Sequence, residues 1–240
     1  MPVDILLTVI AVSVIQSIFG VGVLLFGTPI LLLLGYDFVE ALGVLLPISI
    51  SINTLQVLRH HRELDVGFYK NILIYSVPLV VIFLALVTSV KINVTPVIGV
   101  LLIFVALKSI SVFIEHKVQS IVKYERVYLM VMGIVHGISN LGGSLLTVII
   151  YSKHYPKNKT RVTAAASYAT VALCQLLTLL WVGSEFTVSY FDKISLMQVG
   201  TIMFLLTEEM LYNQIDNDKY SKLFAVFLFI SGILLIIKSL

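Results

Sequence analysis

The chain has 240 residues, 59% of them apolar, and a mean hydropathy of +1.04. Only 12% are Asp, Glu, Lys or Arg, against about 25% in a soluble domain. So few charges cannot cover a water-exposed surface, and such hydrophobicity excludes disorder. The composition is that of a helical integral membrane protein, and a net charge of +3 is too small to point to nucleic acid.

The single cysteine, Cys174, excludes an intramolecular disulfide. No Cys/His spacing suggests a zinc or haem site, so no metal and no cofactor are expected. The first 30 residues lack Lys and Arg. Their apolar run is too long for a signal peptide, which reads as structure kept in the mature protein.

In chain order, the apolar runs are 3–35, 41–58, 71–90, 96–114, 127–151, 162–182, 194–212 and 223–237. Loops between them carry charge, Pro or Asn. The runs have no clear polar face, so they read as membrane helices. Two of them are anomalous. Residues 3–35 would form a helix of about 49 Å at 1.5 Å per residue, too long for one comfortable span. Glycines interrupt this run at Gly20 and Gly22, and the 127–151 run at Gly137, Gly142 and Gly143, with Asn140 among them. Glycine weakens a helix, so each run is expected to be two half-helices that enter and return on one side.

Charge supports the hairpins. If both long runs were single spans, the Lys and Arg outside the spans would divide 8 to 7. If both are hairpins, the segments 59–70, 115–126, 153–161 and 213–222 fall on one side with twelve, against three on the other. The positive-inside rule expects such a bias. Both termini are then outside.

A weak internal repeat accompanies this order. Phe19–Leu31 sets beside Ser139–Tyr151 at an offset of 120, and Tyr36–Leu58 beside Tyr155–Leu177 at an offset of 119. Gly22 meets Gly142, Ser51 meets Thr170, and Gln56 meets Gln175. A hairpin adds no net crossing and three spans reverse direction, so the second half is inverted. Inverted repeats with broken helices mark transporters.

The breaks carry the chemistry. Half-helices starting after Gly22 and after Gly142 would point free backbone N–H groups at the midplane, where a helix N-terminus favours an anion. The candidate substrate-binding set is Gly20, Gly22, Ser51, Asn53, Gln56, Asn140, Gly142, Gly143, Ser144, Thr170 and Gln175. Uncharged donors suit an anion that must also leave. The bland alternative is close packing and hydrogen bonding between helices. His136 is a candidate proton relay or a neutral packing residue. Lys108 is expected to snorkel, and Glu208 and Glu209 to face water at an inner helix end.

The break Gly20-Val21-Gly22-Val23-Leu24 followed by Pro29 has a second copy, Leu141-Gly142-Gly143-Ser144, with Ile149 in place of the proline. Together with the span that follows each break, these resemble the sulfite exporter TauE/SafE family of membrane permeases over nearly the whole chain. The resemblance implies outward movement of sulfur-containing anions such as sulfite, thiosulfate or organosulfonates across a bacterial or archaeal plasma membrane.

The expected fold is an all-α polytopic membrane protein of two inverted repeats, each a glycine-broken helical hairpin plus three transmembrane helices. The first repeat is 1–115, an inner linker is 116–126, and the second repeat is 127–240. The expected function is alternating-access transport of a small anion, with that solute and the lipid bilayer as partners and the oligomeric state left open. The alternatives are an anion channel and a non-transport membrane assembly protein. An intramembrane enzyme would need a buried acid–base or metal constellation, and no pair of buried carboxylates or histidines appears.

Overall fold

The computed structural model describes residues 2–20, 22–110, 120–211 and 217–239. Every regular element among them is helical. Helix α1 (Val3–Phe19) stops at Gly20, whose φ of 71° is left-handed and whose N–H bonds the Gln16 carbonyl. Glycine takes that conformation at no steric cost. Helix α2 (Val23–Leu34) has 12 residues, about 18 Å at 1.5 Å per residue. That is short of the roughly 30 Å of hydrocarbon, so α2 is a half-crossing.

Helix α3 (Phe38–His60) opens with a full capping box, Asp37 bonding the Glu40 N–H and Glu40 the Asp37 N–H. This satisfies two N–H groups that a helix leaves free. A single 3-10 turn (His61–Glu63) ends it. Helices α4 (Val66–Tyr75) and α5 (Val77–Ser89) form one bent crossing. Pro78 at the start of α5 lacks an N–H, which explains the bend. Helix α6 is Thr95–Ile110.

The order then recurs. Helix α7 (Glu125–Ser139) ends at Asn140, again left-handed with φ 62°, its N–H on the His136 carbonyl. Helix α8 (Gly143–Ser152) has only 10 residues. Helices α9 (Lys157–Trp181), α10 (Tyr190–Leu211) and α11 (Asn217–Ser239) complete the chain. Both long apolar runs are therefore broken helix pairs. The span expected over 71–90 corresponds to this bent pair, which reaches back to Val66. Residues 111–114 of the fourth expected span, 116–119 of the expected linker, and Tyr212 lie outside the described residues.

Among the described residues, three stretches are long and apolar enough to cross a membrane by themselves: Phe38–Glu63, Val66–Ser89 and Lys157–Trp181. Their outward faces carry exposed Leu58, Ile74, Ile82, Leu86, Leu177 and Leu180. An apolar exterior of this extent is stable against lipid, not water.

Packing pairs elements early in the chain with elements late in it. Helix α3 crosses α9, α6 lies on α11, α1 packs on α10, and α5 packs on α7. Small residues allow the closest approaches. A Cβ at Gly99 would lie 2.8 Å from the Gly232 carbonyl, and one at Gly232 would lie 2.7 Å from the Gly99 carbonyl. Gly133 and Gly137, one turn apart, bring α7 onto the carbonyls of Ser76 and Val80. Such contacts replace the hydrophobic effect, which is lost between helices in lipid.

Candidate functional site

The two helix breaks meet at the centre of the bundle. A small enclosed cavity lies between them, lined by Gln16, Gly22, Leu24, Leu25, Ser49, Asn53, Asn140, Gly143 and Tyr168. Its volume is about 10 Å³, barely one water. One wall is the first turn of α2. N–H groups of a first turn have no intrahelical acceptor, and the positive end of the helix dipole lies there.

Amide side chains line the rest. Gln16 accepts from the Val23 N–H at 3.1 Å and donates to the Gly20 carbonyl at 2.9 Å, so it staples the break between α1 and α2. Its amide nitrogen also reaches Asn53 Oδ1 at 3.4 Å. Asn53 Nδ2 bonds the Ser49 carbonyl at 2.8 Å and the Ser49 hydroxyl at 3.1 Å. Asn140, 1% exposed, donates to the Thr28 hydroxyl at 2.9 Å. Its other amide atom is buried without a partner. Because a hydroxyl can serve either amide atom, Asn140 can present a donor or an acceptor to the cavity.

The second break differs from the first. A Cβ on Gly143 would fall on the Tyr168 hydroxyl, so the Tyr168 ring covers the start of α8. Tyr168 corresponds to Ser49 at the 119-residue offset. A serine leaves room beside α2, whereas a tyrosine fills the equivalent room beside α8. A second hollow behind Tyr168 is lined by Met132, His136, Gly142, Gly143, Leu146, Ser167 and Val171. His136 there lies 3.2 Å from Gln175 Oε1. Its partner is an amide, not a titratable group.

The structure thus brings together Gly22, Asn53, Asn140 and Gly143 at one cavity, with Gly20 behind Gln16. Gly142 and Gln175 belong with His136 on the far side of Tyr168. Ser51, Thr170 and Ser144 of the expected set are engaged elsewhere. Ser51 bonds Thr201 at 2.9 Å, Thr170 bonds Tyr69 at 2.6 Å, and Ser144 bonds the Leu141 carbonyl at 3.0 Å. These are contacts between and within helices. Gln16, Ser49 and Tyr168 line the cavity without having been in the expected set. Gln16 was hidden because it lies inside the first half-helix, four residues before the glycine that draws attention.

Below the cavity, Gln56 continues the amide series. With its amide turned to satisfy both atoms, it donates to Asn53 Oδ1 at 3.2 Å and accepts from Arg161 Nε and Nη2, each at 3.1 Å. Arg161 is ion-paired with Glu208, and Glu208 also meets Arg59 at 2.5 Å. Glu208 was expected to face water. It is 6% exposed, because α10 turns it between two guanidinium groups of α3 and α9.

A wider hollow of about 470 Å³ lies between Ile82, Ala85, Leu86, Ser89, Val90, Trp181 and Val182. It is an apolar groove on the outer surface, remote from these polar groups. Among the described residues, no group of three or more His, Cys, Asp or Glu side chains could hold a metal ion.

An all-helical bundle with apolar outer faces and broken half-helices around a polar centre is the architecture of a helical membrane protein. The model of the sulfite exporter TauE/SafE family matches residues 5–235, nearly the whole chain. The chain belongs to that family, whose members are membrane transporters and not enzymes. No curated protein and no solved structure matches the chain.

Proposed function

We propose that this protein carries a small sulfur oxyanion or sulfonate across the plasma membrane by alternating access between two inverted halves. The observation that carries the reading is the central cavity. It joins the first turn of α2 to the amides of Gln16, Asn53 and Asn140. A helix N-terminus and neutral donors attract an anion without the deep well that a buried cation would create. Release then stays possible.

The inverted-repeat reading is supported by two regularities. The half-helices α2 and α8 are N-capped by Gly22 and Gly142, which stand 120 residues apart. The packing also exchanges consistently between the halves 1–115 and 127–240: α3 with α9, α6 with α11, α1 with α10, and α5 with α7. A twofold axis in the membrane plane would generate this set of pairs. The cavity as it stands holds no sulfite-sized solute, so the halves must part to load it. That favours a carrier over an open channel.

Counterflow in proteoliposomes tests the reading, with sulfite, thiosulfate, several sulfonates, sulfate and chloride as the panel. Saturable exchange of a sulfur oxyanion is expected from the wild type. Asn53→Ala, which removes the amide shared by Gln16 and Gln56, should reduce it severely while leaving the protein folded. No flux of any panel anion from folded wild type would overturn the anion reading.

A further inference from the structure

From the charged cluster below the cavity we infer that Arg59, Glu208 and Arg161 form the gate that closes the Lys/Arg-rich end of the solute path. The inference rests on the transport reading above and adds where the path closes. Three helices meet at this cluster: α3 supplies Arg59, α9 supplies Arg161, and α10 supplies Glu208. Helices α3 and α9 belong to opposite halves of the chain and both line the cavity through Ser49, Asn53 and Tyr168. Glu208 therefore ties together the walls that must separate for a solute to pass.

The cluster is also continuous with the site. Arg161 bonds Gln56, Gln56 bonds Asn53, and Asn53 lines the cavity. Gln56 lies one helical turn from Asn53 and one from Arg59 on α3. The Arg161 and Glu208 side chains are only 10% and 8% exposed, whereas Arg59 is 49% exposed. The triad thus runs from the cavity floor to the basic end of the bundle, the end that bears Arg59, Arg62, Lys157 and Lys159.

A charged tie is a poor choice for permanent packing. Burying ions costs so much desolvation that an apolar contact of the same volume would serve as well or better. Ion pairs inside membrane proteins mark paths and moving parts. The opposite end closes differently. There Gly27 of α2 packs on the Leu45 side chain of α3, and Gly43 of α3 on the Phe186 ring. One end is sealed by apolar contact and the other by charge.

The test reads access to the cavity, not flux. Ser49→Cys in a Cys174→Ser background places one thiol in the cavity. A membrane-impermeant thiol reagent is applied to inverted and to right-side-out vesicles. Glu208→Gln should raise the labelling rate by about tenfold or more, from the Lys/Arg-rich side only, as a shifted closed–open equilibrium requires. Arg59→Gln, at the half-exposed end of the triad, should do the same in smaller measure, and carries the test alone if Glu208→Gln fails to reach the membrane. An unchanged rate in both variants overturns the gate. Equal acceleration from both sides also overturns it, because that is a loosened bundle. Side-specific acceleration without flux of any panel anion would leave the gate standing and remove the anion assignment. Anion flux with unchanged labelling would do the reverse.

Discussion

Gly20 and Asn140, 120 residues apart, hold the same left-handed backbone, with φ of 71° and 62°, and each returns its N–H to the carbonyl four residues earlier, Gln16 and His136. Each ends one half-helix three residues before the next begins. The two positions are not equivalent chemically. Gly20 serves by lacking a side chain, whereas Asn140 tolerates the conformation and adds an amide to the cavity. Asn140→Gly should therefore keep the fold and lose flux. Gly20→Ala meets no atom within 4 Å, so any loss of stability is backbone strain alone, about 1–2 kcal/mol. Unfolding of the detergent-solubilised proteins, compared with counterflow, separates the two effects.

Gly99 and Gly232 press backbone on backbone where α6 crosses α11. Neither carbonyl can retreat as a side chain could. Ala at either position should destabilise by about 1–3 kcal/mol, the usual cost of overpacking. Because both substitutions push on one contact, the double variant should cost less than the sum. Unfolding midpoints of the four proteins check this, and full additivity would show that the helices do not meet there.

Asp65, between α3 and α4, gives the fold a pH dependence. Burial alone would raise its pKa, but the Tyr155 hydroxyl, the Phe68 N–H and the charges of Lys159 and Lys153 together outweigh burial and hold it below the usual 3.8. A carboxylate with a depressed folded pKa stabilises fully above its unfolded value, and the stabilisation is lost as pH falls through the folded one. The wild type should lose stability more steeply than Asp65→Asn below about pH 4. Parallel curves would show that the Tyr155–Asp65 contact contributes nothing.

Topology is checked by single cysteines at Asp37 and Asn158 in the Cys174→Ser background. Asp37 caps the start of α3, while Asn158 bonds Glu63 just beyond the end of α3. The 23 residues of α3 separate them by about 35 Å. Impermeant reagent should label Asp37→Cys from outside and Asn158→Cys from inside. Labelling of both from one side would remove the hairpin topology.

The outline of the fold was open to reading in the chain because its signals are local. The run 3–35 is too long for one span and carries Gly20 and Gly22, so a break followed from helix length and glycine alone. The Lys/Arg asymmetry favours hairpins over single crossings, a topology that the cysteines at Asp37 and Asn158 test. The site was less open. Gly22, Asn53, Asn140 and Gly143 of the candidate set line the cavity; three of them stand at the breaks, and Asn53 stands on the helix that follows the first. Ser51 and Thr170 do not line the cavity, since helix rotation turns them onto α10 and α4. Nothing in a single apolar helix states which way it is turned.

By itself the sequence determined that this is a helical membrane protein with two broken runs, and its glycine-rich motifs pointed to its family. Those conclusions rest on composition, span length and backbone freedom, which act within one helix at a time. Tertiary structure alone decided that Gln16 staples the first break, that Tyr168 covers the second while Ser49 leaves the first open, and that Glu208 is buried between Arg59 and Arg161. The Gln16 staple spans only four and seven residues but needs the break folded back on α1, whereas the others join side chains from positions far apart in the chain: Arg59 and Glu208 are 149 residues apart. The side chains that meet across a bundle are fixed by how its helices cross and rotate, and that follows from all their contacts at once.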